Sequence, residues 1–332
     1  MNEWLHEAGI GEERASLVGD ERIIAARVVW DEPWRAGAVA EARLISRIPG
    51  TRRAAVRLPD GSEALAEGLD PALTEGAPVR VRITRGAIAE KGRTKLPHVR
   101  AESASEAPRP APTLREELAA GPVPVRSLSA HDRSFEYAGW HDLVEEALSG
   151  EITFTGGGLI ISATPAMTLI DIDGPPPLAA LALAAVPALV GALLRLDVGG
   201  SVGIDFPSLP EKAQRQAVDA ALAEAVRAAG WQGERTGMNG FGFVQFVSRL
   251  ERPSLVQRFA RHPAAAAARR LLRAAERVRE PGTLLLTAHP VVRRALRPEW
   301  EAELARRTGR LLRWHEDSAL ALHTAFAQAV AA

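Results

Sequence analysis

The stretch Gly157-Gly158-Leu159-Ile160-Ile161-Ser162-Ala163-Thr164-Pro165-Ala166-Met167-Thr168-Leu169-Ile170-Asp171-Ile172-Asp173-Gly174 reads as two apolar strands, 159–163 and 167–172, about a Thr-Pro turn. Val202-Gly203-Ile204-Asp205-Phe206 is a third strand that also carries an aspartate. Between them, 177–194 is rich in Ala and Leu but is interrupted by Pro187 and Gly191 and closed by Arg195. It falls short of a membrane span of roughly 20 residues, so a buried helix is expected. An amphipathic helix follows over 211–229, with Ala217, Val218, Ala221, Leu222 and Val226 on one face. Strands alternating with helices in this way predict an α/β or α+β domain. The run Gly156-Gly157-Gly158 has neither the Walker lysine nor GxGxxG spacing, which favours a tight hairpin turn over a phosphate loop.

N-terminal to this region the pattern changes. Segments 22–29, 38–45, 54–58 and 79–85 are β-branched or alternating and are separated by Pro33, Pro49-Gly50, Asp60-Gly61 and Gly76. They predict a small antiparallel barrel. Alternation over 79–85 sets Arg80, Arg82 and Arg85 against an apolar face, either as a solvated exterior or as a groove that tracks phosphates. Lys91-Gly92-Arg93-Thr94-Lys95 follows, and it holds two of the chain's three lysines, the other being Lys212. A Pro/Ser/Ala connector, 101–113, separates this region from the next. C-terminal to the central region, 240–247 reads as a strand and 252–254 as a turn. An Ala/Arg helix over 263–279, a strand at 283–288, a short helix from Pro290, a strand at 310–314 and a helix at 318–330 complete a small α/β module. The expected organisation is 1–100, a linker, 114–260 and 261–332.

Composition narrows the function. At 332 residues, 46% apolar and 25% charged, the chain has the profile of a globular protein of two or three domains. Its 41 basic side chains balance 41 acidic ones, so any polyanion site must be local. The absence of cysteine excludes disulfides, thiolate nucleophiles, iron–sulfur clusters and every zinc site that needs sulfur. Residues 1–17 carry Glu3, His6, Glu7, Glu12 and Glu13 where a signal peptide needs a basic start and an apolar run. A cytoplasmic protein with no membrane partner is therefore expected.

Asp171, Asp173 and Asp205 interrupt apolar strands, where an uncompensated charge is costly. Three hard oxygen ligands without His or Cys suit Mg²⁺ or Mn²⁺ and phosphate substrates. The competing reading has them capping the following turns and helices. No HxxxH or HExxH pair and no Gly-x-Ser-x-Gly elbow is present. Phe241 and Phe243 either stack bases or fill the core, and the seven tryptophans are assigned to core or domain contacts.

At these residues the sequence resembles the ribonuclease E/G family of bacterial endoribonucleases. Gly157 through Asp173 is similar to that family's strand pair leading to the first catalytic aspartate, and 199–206 to the segment with the second. Residues 214–226, Gly240-Phe241-Gly242-Phe243-Val244 and Arg252-Pro253-Ser254-Leu255 continue the likeness in order, over most of 150–256. A looser likeness joins 36–100 to the family's OB-fold RNA-binding barrel and 284–296 to its C-terminal small domain.

The resemblance implies an α+β chain with an N-terminal OB-fold-like β-barrel, a central mixed-sheet DNase-I-like catalytic domain and a small C-terminal α/β module. It further implies that Asp171 and Asp205 hold Mg²⁺, with Asp173 as an auxiliary ligand, for hydrolysis of single-stranded RNA. Lys91, Arg93, Lys95, Arg80, Arg82, Lys212, Phe241 and Phe243 are the expected RNA contacts. The sequence departs from the family at Asp173 (usually Asn), Ser208 (often Asp), Gly240 (usually basic), and Val56 and Ala64 (near its base-packing aromatics). It lacks the zinc-binding cysteine motif and most of the 5′-sensor region, so no zinc-linked dimer is expected. An RNA-binding protein that keeps the fold without catalysis is the alternative. A metal-dependent phosphatase or a nuclease acting on DNA is a third.

Overall fold

The computed structural model describes residues 2–331. Three antiparallel strands open the chain: β1 (Glu3–Gly9), β2 (Glu12–Gly19) and β3 (Arg22–Trp30). A closed barrel in the order β10-β6-β5-β4-β7 follows, made of β4 (Val39–Arg47), β5 (Arg53–Arg57), β6 (Glu63–Glu67), β7 (Pro78–Arg85) and β10 (His98–Ala101). The short hairpin β8 (Ile88–Glu90) and β9 (Arg93–Lys95) projects between β7 and β10.

The linker returns along the barrel, where Val39 and Arg109 exchange backbone hydrogen bonds at 2.9 Å. It ends in a capping box, Thr113 with Glu116, that starts α1 (Leu114–Ala119). Next come β11 (Val125–Ser127), α2 (Ser134–Tyr137) and α3 (Trp140–Ser149). The central unit holds β12 (Glu151–Phe154), β13 (Gly157–Ala163), β14 (Thr168–Asp173), α4 (Leu178–Arg195), β15 (Ser201–Asp205), α5 (Lys212–Ala228), β16 (Glu234–Arg235) and β17 (Phe243–Val247). Its six strands run in the order β12-β13-β14-β15-β17-β16. After α6 (Leu255–Arg261) and α7 (Pro263–Glu276) come β18 (Thr283–Ala288), α8 (Pro290–Arg294), α9 (Pro298–Thr308), β19 (Leu312–Glu316) and β20 (Phe326–Val330), with β18 central in a three-stranded sheet.

The region expected to form one barrel unit over 1–100 divides in two. β1, β2 and β3 pair with β11 in a separate sheet, and Leu5, Ile23, Ala26, Val28 and Trp30 enter the core of the central unit. α4 lies between this sheet and the six-stranded one, packing on β3, β12, β13 and α5. Cover on both sides accounts for much of its apolar composition: Leu181, Ala185, Val186, Leu189 and Leu193 are all in the core, while Leu178 and Leu183 remain exposed. On the opposite face of the six-stranded sheet Ile160, Leu169 and Val247 are exposed.

Three further expectations change, and the Val56 and Ala64 departures find their place. Segment 318–330 is not a helix: a single 3-10 turn (Leu322–Thr324) leads into β20, which pairs antiparallel with β18. Its helix-favouring alanines yield to the pairing demand of a sheet that would otherwise have two strands, since tertiary context overrides propensity. On β7, Thr84 rather than Arg85 continues the outward row after Arg80 and Arg82, as a period of two requires. Ala217 is exposed, and α5 buries Val218 and Leu222. Val56 and Ala64 are opposite one another inside the barrel and fully buried, so they fill its core and are not available to a base.

A buried ionic network ties the N-terminal sheet to α7. Arg273 donates to Glu7 at 2.8 Å and to Glu12 at 2.7 Å, Arg14 donates to Glu7 at 2.7 Å, and the Trp30 indole donates to Glu12 at 2.8 Å. Arg269 reaches Asp31 at 3.0 Å and the Gly11 carbonyl at 2.9 Å. Burial alone would raise the Glu7 and Glu12 carboxyls, but Arg273 outweighs it, with Arg14 adding to the effect, and both stand below the usual carboxylate range. Burial together with the neighbouring Arg273 lowers Arg14 to about 10, against the pull of Glu7.

Removing one partner of such a group strands a buried charge. Arg273→Met is expected to cost about 3–5 kcal/mol, read as a lowered urea midpoint. The folded pKa values of Glu7 and Glu12 are depressed, so their contribution is complete above the unfolded value of about 4.3 and is lost as pH falls through the folded ones. Stability of Glu12→Gln should therefore fall less steeply than wild type below about pH 4.3, as followed by urea titrations at stepped pH.

Candidate functional site

β14 and β15 are parallel neighbours, and their register sets Asp171 directly against Asp205. Parallel strands need a crossover, here α4, and the crossover returns the chain beside the strand it left. Adjacent strands lie about 4.8 Å apart, so the two carboxylates, both exposed, stand side by side. Ile170, Ile172 and Ile204 point to the helical side and fix the faces: a slip of one residue would bury the aspartates. Among the described residues neither aspartate has an ion-pair partner. Asp205 ends β15 and Asp171 lies two residues before the end of β14, toward the carboxyl end of the parallel pair, where α/β sheets bind ligands. The exposed Lys212 begins α5 after the loop that follows Asp205, and the first turn of that helix carries no acidic residue.

Asp173 shares this face two residues further along β14, about 6.6 Å of strand away. Its Oδ1 accepts a hydrogen bond from the Gly174 N–H at 2.9 Å, the turn-capping role that sequence reasoning left open for all three aspartates. Among the described residues no group of three or more His, Cys, Asp or Glu side chains is arranged to hold a metal ion. The residues present fit Mg²⁺ as a two-carboxylate site, because that ion retains several waters and takes its remaining ligands from phosphate.

β17 brings Phe243 into register with Asp205. The preceding turn is held by Asn239, whose Oδ1 accepts from the N–H groups of Phe241 at 2.9 Å and Phe243 at 3.0 Å. Gly242 has φ +86°, and a Cβ there would come within 3.0 Å of the Phe206 carbonyl, so glycine is required. Phe241, in the turn two residues before the partner of Asp205, is 88% exposed, so a stacking role is open and a core role is not. Phe243 is half-buried and lies over Gly203 with Leu169 and Met167. Asn239 escaped sequence reasoning, although an Asn two residues before a Phe-Gly pair is the signal of an Asx turn.

The basic residues separate into free and engaged groups. Lys91 is exposed at the tip of the β8–β9 hairpin. Arg93 and Lys95 converge on the buried Glu90 carboxylate at 2.6 and 2.7 Å, and Lys95 also donates to the Pro165 carbonyl at 3.2 Å, tying the barrel to the β13–β14 turn. Glu90 was not anticipated as the acid that organises this loop. Arg80 pairs with Glu41 at 3.3 Å and Arg82 with Glu102, so the outward arginine row of β7 is largely neutralised.

Compared with models of known protein families and with curated proteins, the sequence matches none of them.

Two like charges in register, with no ion-pair partner among the described residues, would be relieved by a divalent ion. Asp205→Asn removes half of the pair. In metal-free buffer this variant should match or slightly exceed wild-type stability, by no more than about 1 kcal/mol at solvent dielectric. Adding MgCl₂ should raise the melting temperature of wild type and leave that of the variant in place, through the linkage of binding to folding. Equal responses of the two proteins to Mg²⁺ in a thermal-shift titration would dismiss the shared site.

Proposed function

We propose that this chain is a Mg²⁺-dependent endoribonuclease that cleaves single-stranded RNA, built on an OB-like barrel and a DNase-I-like central unit. The observation that carries the reading is the register of Asp171 against Asp205 on the open face of the sheet. Asp171 and Asp205 would hold the ion; when bound, Mg²⁺ supplies activation of water and neutralisation of the phosphate oxygens. Phe241 offers a ring for a base next to the scissile position, worth about 1–3 kcal/mol per stacked base. Lys212 adds a positive charge on the side where the strands end, and Lys91 offers one at the barrel loop. A closed five-strand barrel next to this sheet supports a single-stranded substrate.

A second reading is an RNA-binding protein that keeps this fold without catalysis, favoured by the use of Asp173 as a turn cap, which leaves only two carboxylates for a metal. The two separate on activity. Asp205→Asn should lose Mg²⁺-dependent cleavage of a fluorescent single-stranded RNA while keeping its melting temperature. Cleavage by the variant at the wild-type rate refutes the nuclease assignment, and wild-type binding without any product selects the second reading.

Gly240 offers a gain-of-function test. A Cβ at this position meets nothing within 4 Å, so a side chain fits without repacking. Gly240→Arg places a cation in the turn before Phe241, and it should tighten RNA binding several-fold and steepen its salt dependence by about 0.7 in the log–log slope. Unchanged affinity would mean that RNA does not pass this turn.

A further inference from the structure

At the junction of barrel and central sheet lies a cleft of about 370 Å³ that none of the expected RNA contacts lines. Its barrel wall is Glu67 at the end of β6, Arg85 on β7, and His98 and Arg100 on β10. The facing wall is Arg249 and Leu250, just after β17. β10 pairs with both β6 and β7, and that shared pairing is what brings these side chains to one end of the barrel.

The charge in this cleft is positive and little spent. Glu67, its one acid, is engaged by Arg53 at 2.8 Å. Arg100 is exposed, and Arg249 is 75% exposed with a single contact to Glu251 at 3.1 Å. Arg85 donates from Nη2 to the Leu96 carbonyl at 2.7 Å, and its buried Nε–H has no acceptor. Burial first, and then the nearby Arg85, hold His98 below its ordinary pKa, despite the opposing pull of Glu67.

We infer that this cleft is a second phosphate site, holding one nucleotide of a single-stranded RNA at the barrel–sheet junction, away from the reacting phosphate. Guanidinium groups are the preferred partners of phosphate oxygens, and the half-buried Leu250 offers apolar surface to sugar or base. The volume is near the lower end of the roughly 300–1,000 Å³ typical of small-ligand sites, which suits a single nucleotide and excludes a duplex. Arg249 follows the Val247 end of β17, which pairs with Ser201, whereas Asp205 pairs with Phe243 at the other end. About 13 Å of strand therefore separates the two ends. A chain held at both sites is anchored at a fixed distance from the acidic pair, so the cleft would set where along the RNA the cut falls.

The inference rests on the RNA reading above, and its test is run in EDTA so that cleavage plays no part. Wild type and an Arg100→Gln/Arg249→Gln double variant, both changes being at exposed positions, are titrated into a labelled single-stranded oligoribonucleotide carrying either a 5′-phosphate or a 5′-hydroxyl. The double variant should keep its melting temperature, bind about tenfold more weakly at low salt and lose roughly 0.7–1.4 from the log–log salt slope. A loss limited to the 5′-phosphorylated oligonucleotide identifies the occupant as a terminal phosphate, and a loss with both identifies an internal one. Wild-type affinity and slope in the double variant overturn the cleft while the RNA reading stands. Failure of wild type to bind either oligonucleotide overturns both.

Discussion

Two neighbouring parallel strands cannot be joined by a tight turn, and in this chain the crossover that joins β14 to β15 is α4, which packs between two sheets through Leu181, Ala185, Val186, Leu189 and Leu193. The pairing of the two aspartates depends on that connection. It brings Asp171 beside Asp205 although 33 residues of sequence intervene, and it does so with a register that buries Ile170 and Ile204 and turns both acids outward. The same turn-and-return geometry starts α5 beyond Asp205 with Lys212 and sends β17 back along β15 with Phe243 opposite the acid. Two carboxylates, a lysine and an exposed phenylalanine near one end of a sheet thus follow from one packing decision.

That decision is stabilised from a distance. α4 is closed in by β3, and the sheet containing β3 is locked to α7 through Glu7, Glu12, Arg14, Arg269 and Arg273. Ion pairs this deeply buried contribute less to net stability than their number suggests, because desolvation offsets most of their attraction. Their geometry is specific, since one guanidinium, that of Arg273, donates to both Glu7 and Glu12. The first strands of the chain and a helix near its end are therefore parts of one core, which is why the barrel between them is an insertion in space as well as in sequence.

Legibility in the sequence followed local pattern. The β13–β14 hairpin, the buried character of α4, the strand with Asp205 and the connector were all readable, because apolar periodicity and Pro/Gly punctuation act within a few residues. β1 and β2 were not, since Glu7, Glu12 and Arg14 are charged residues at buried positions, and only their distant partner Arg273 makes that burial tolerable. β20 was misread for a related reason: its alanines favour a helix until β18 offers an unpaired edge. At the candidate site, Asp171 and Asp205 were visible as acids on neighbouring strands, but the capping contact of Asp173, the Asn239 brace under Phe241 and the capture of Arg93 and Lys95 by Glu90 were not. Each of those is a side-chain hydrogen bond or ion pair, and hydrophobic pattern carries no information about it.

The account stands on a single divalent ion being shared by two carboxylates across a parallel strand pair. Anomalous diffraction from crystals soaked in Mn²⁺ tests this directly. The account predicts one anomalous peak within coordination distance of both the Asp171 and Asp205 carboxylates. Crystals whose manganese binds elsewhere, or touches only one of the two aspartates, would contradict it.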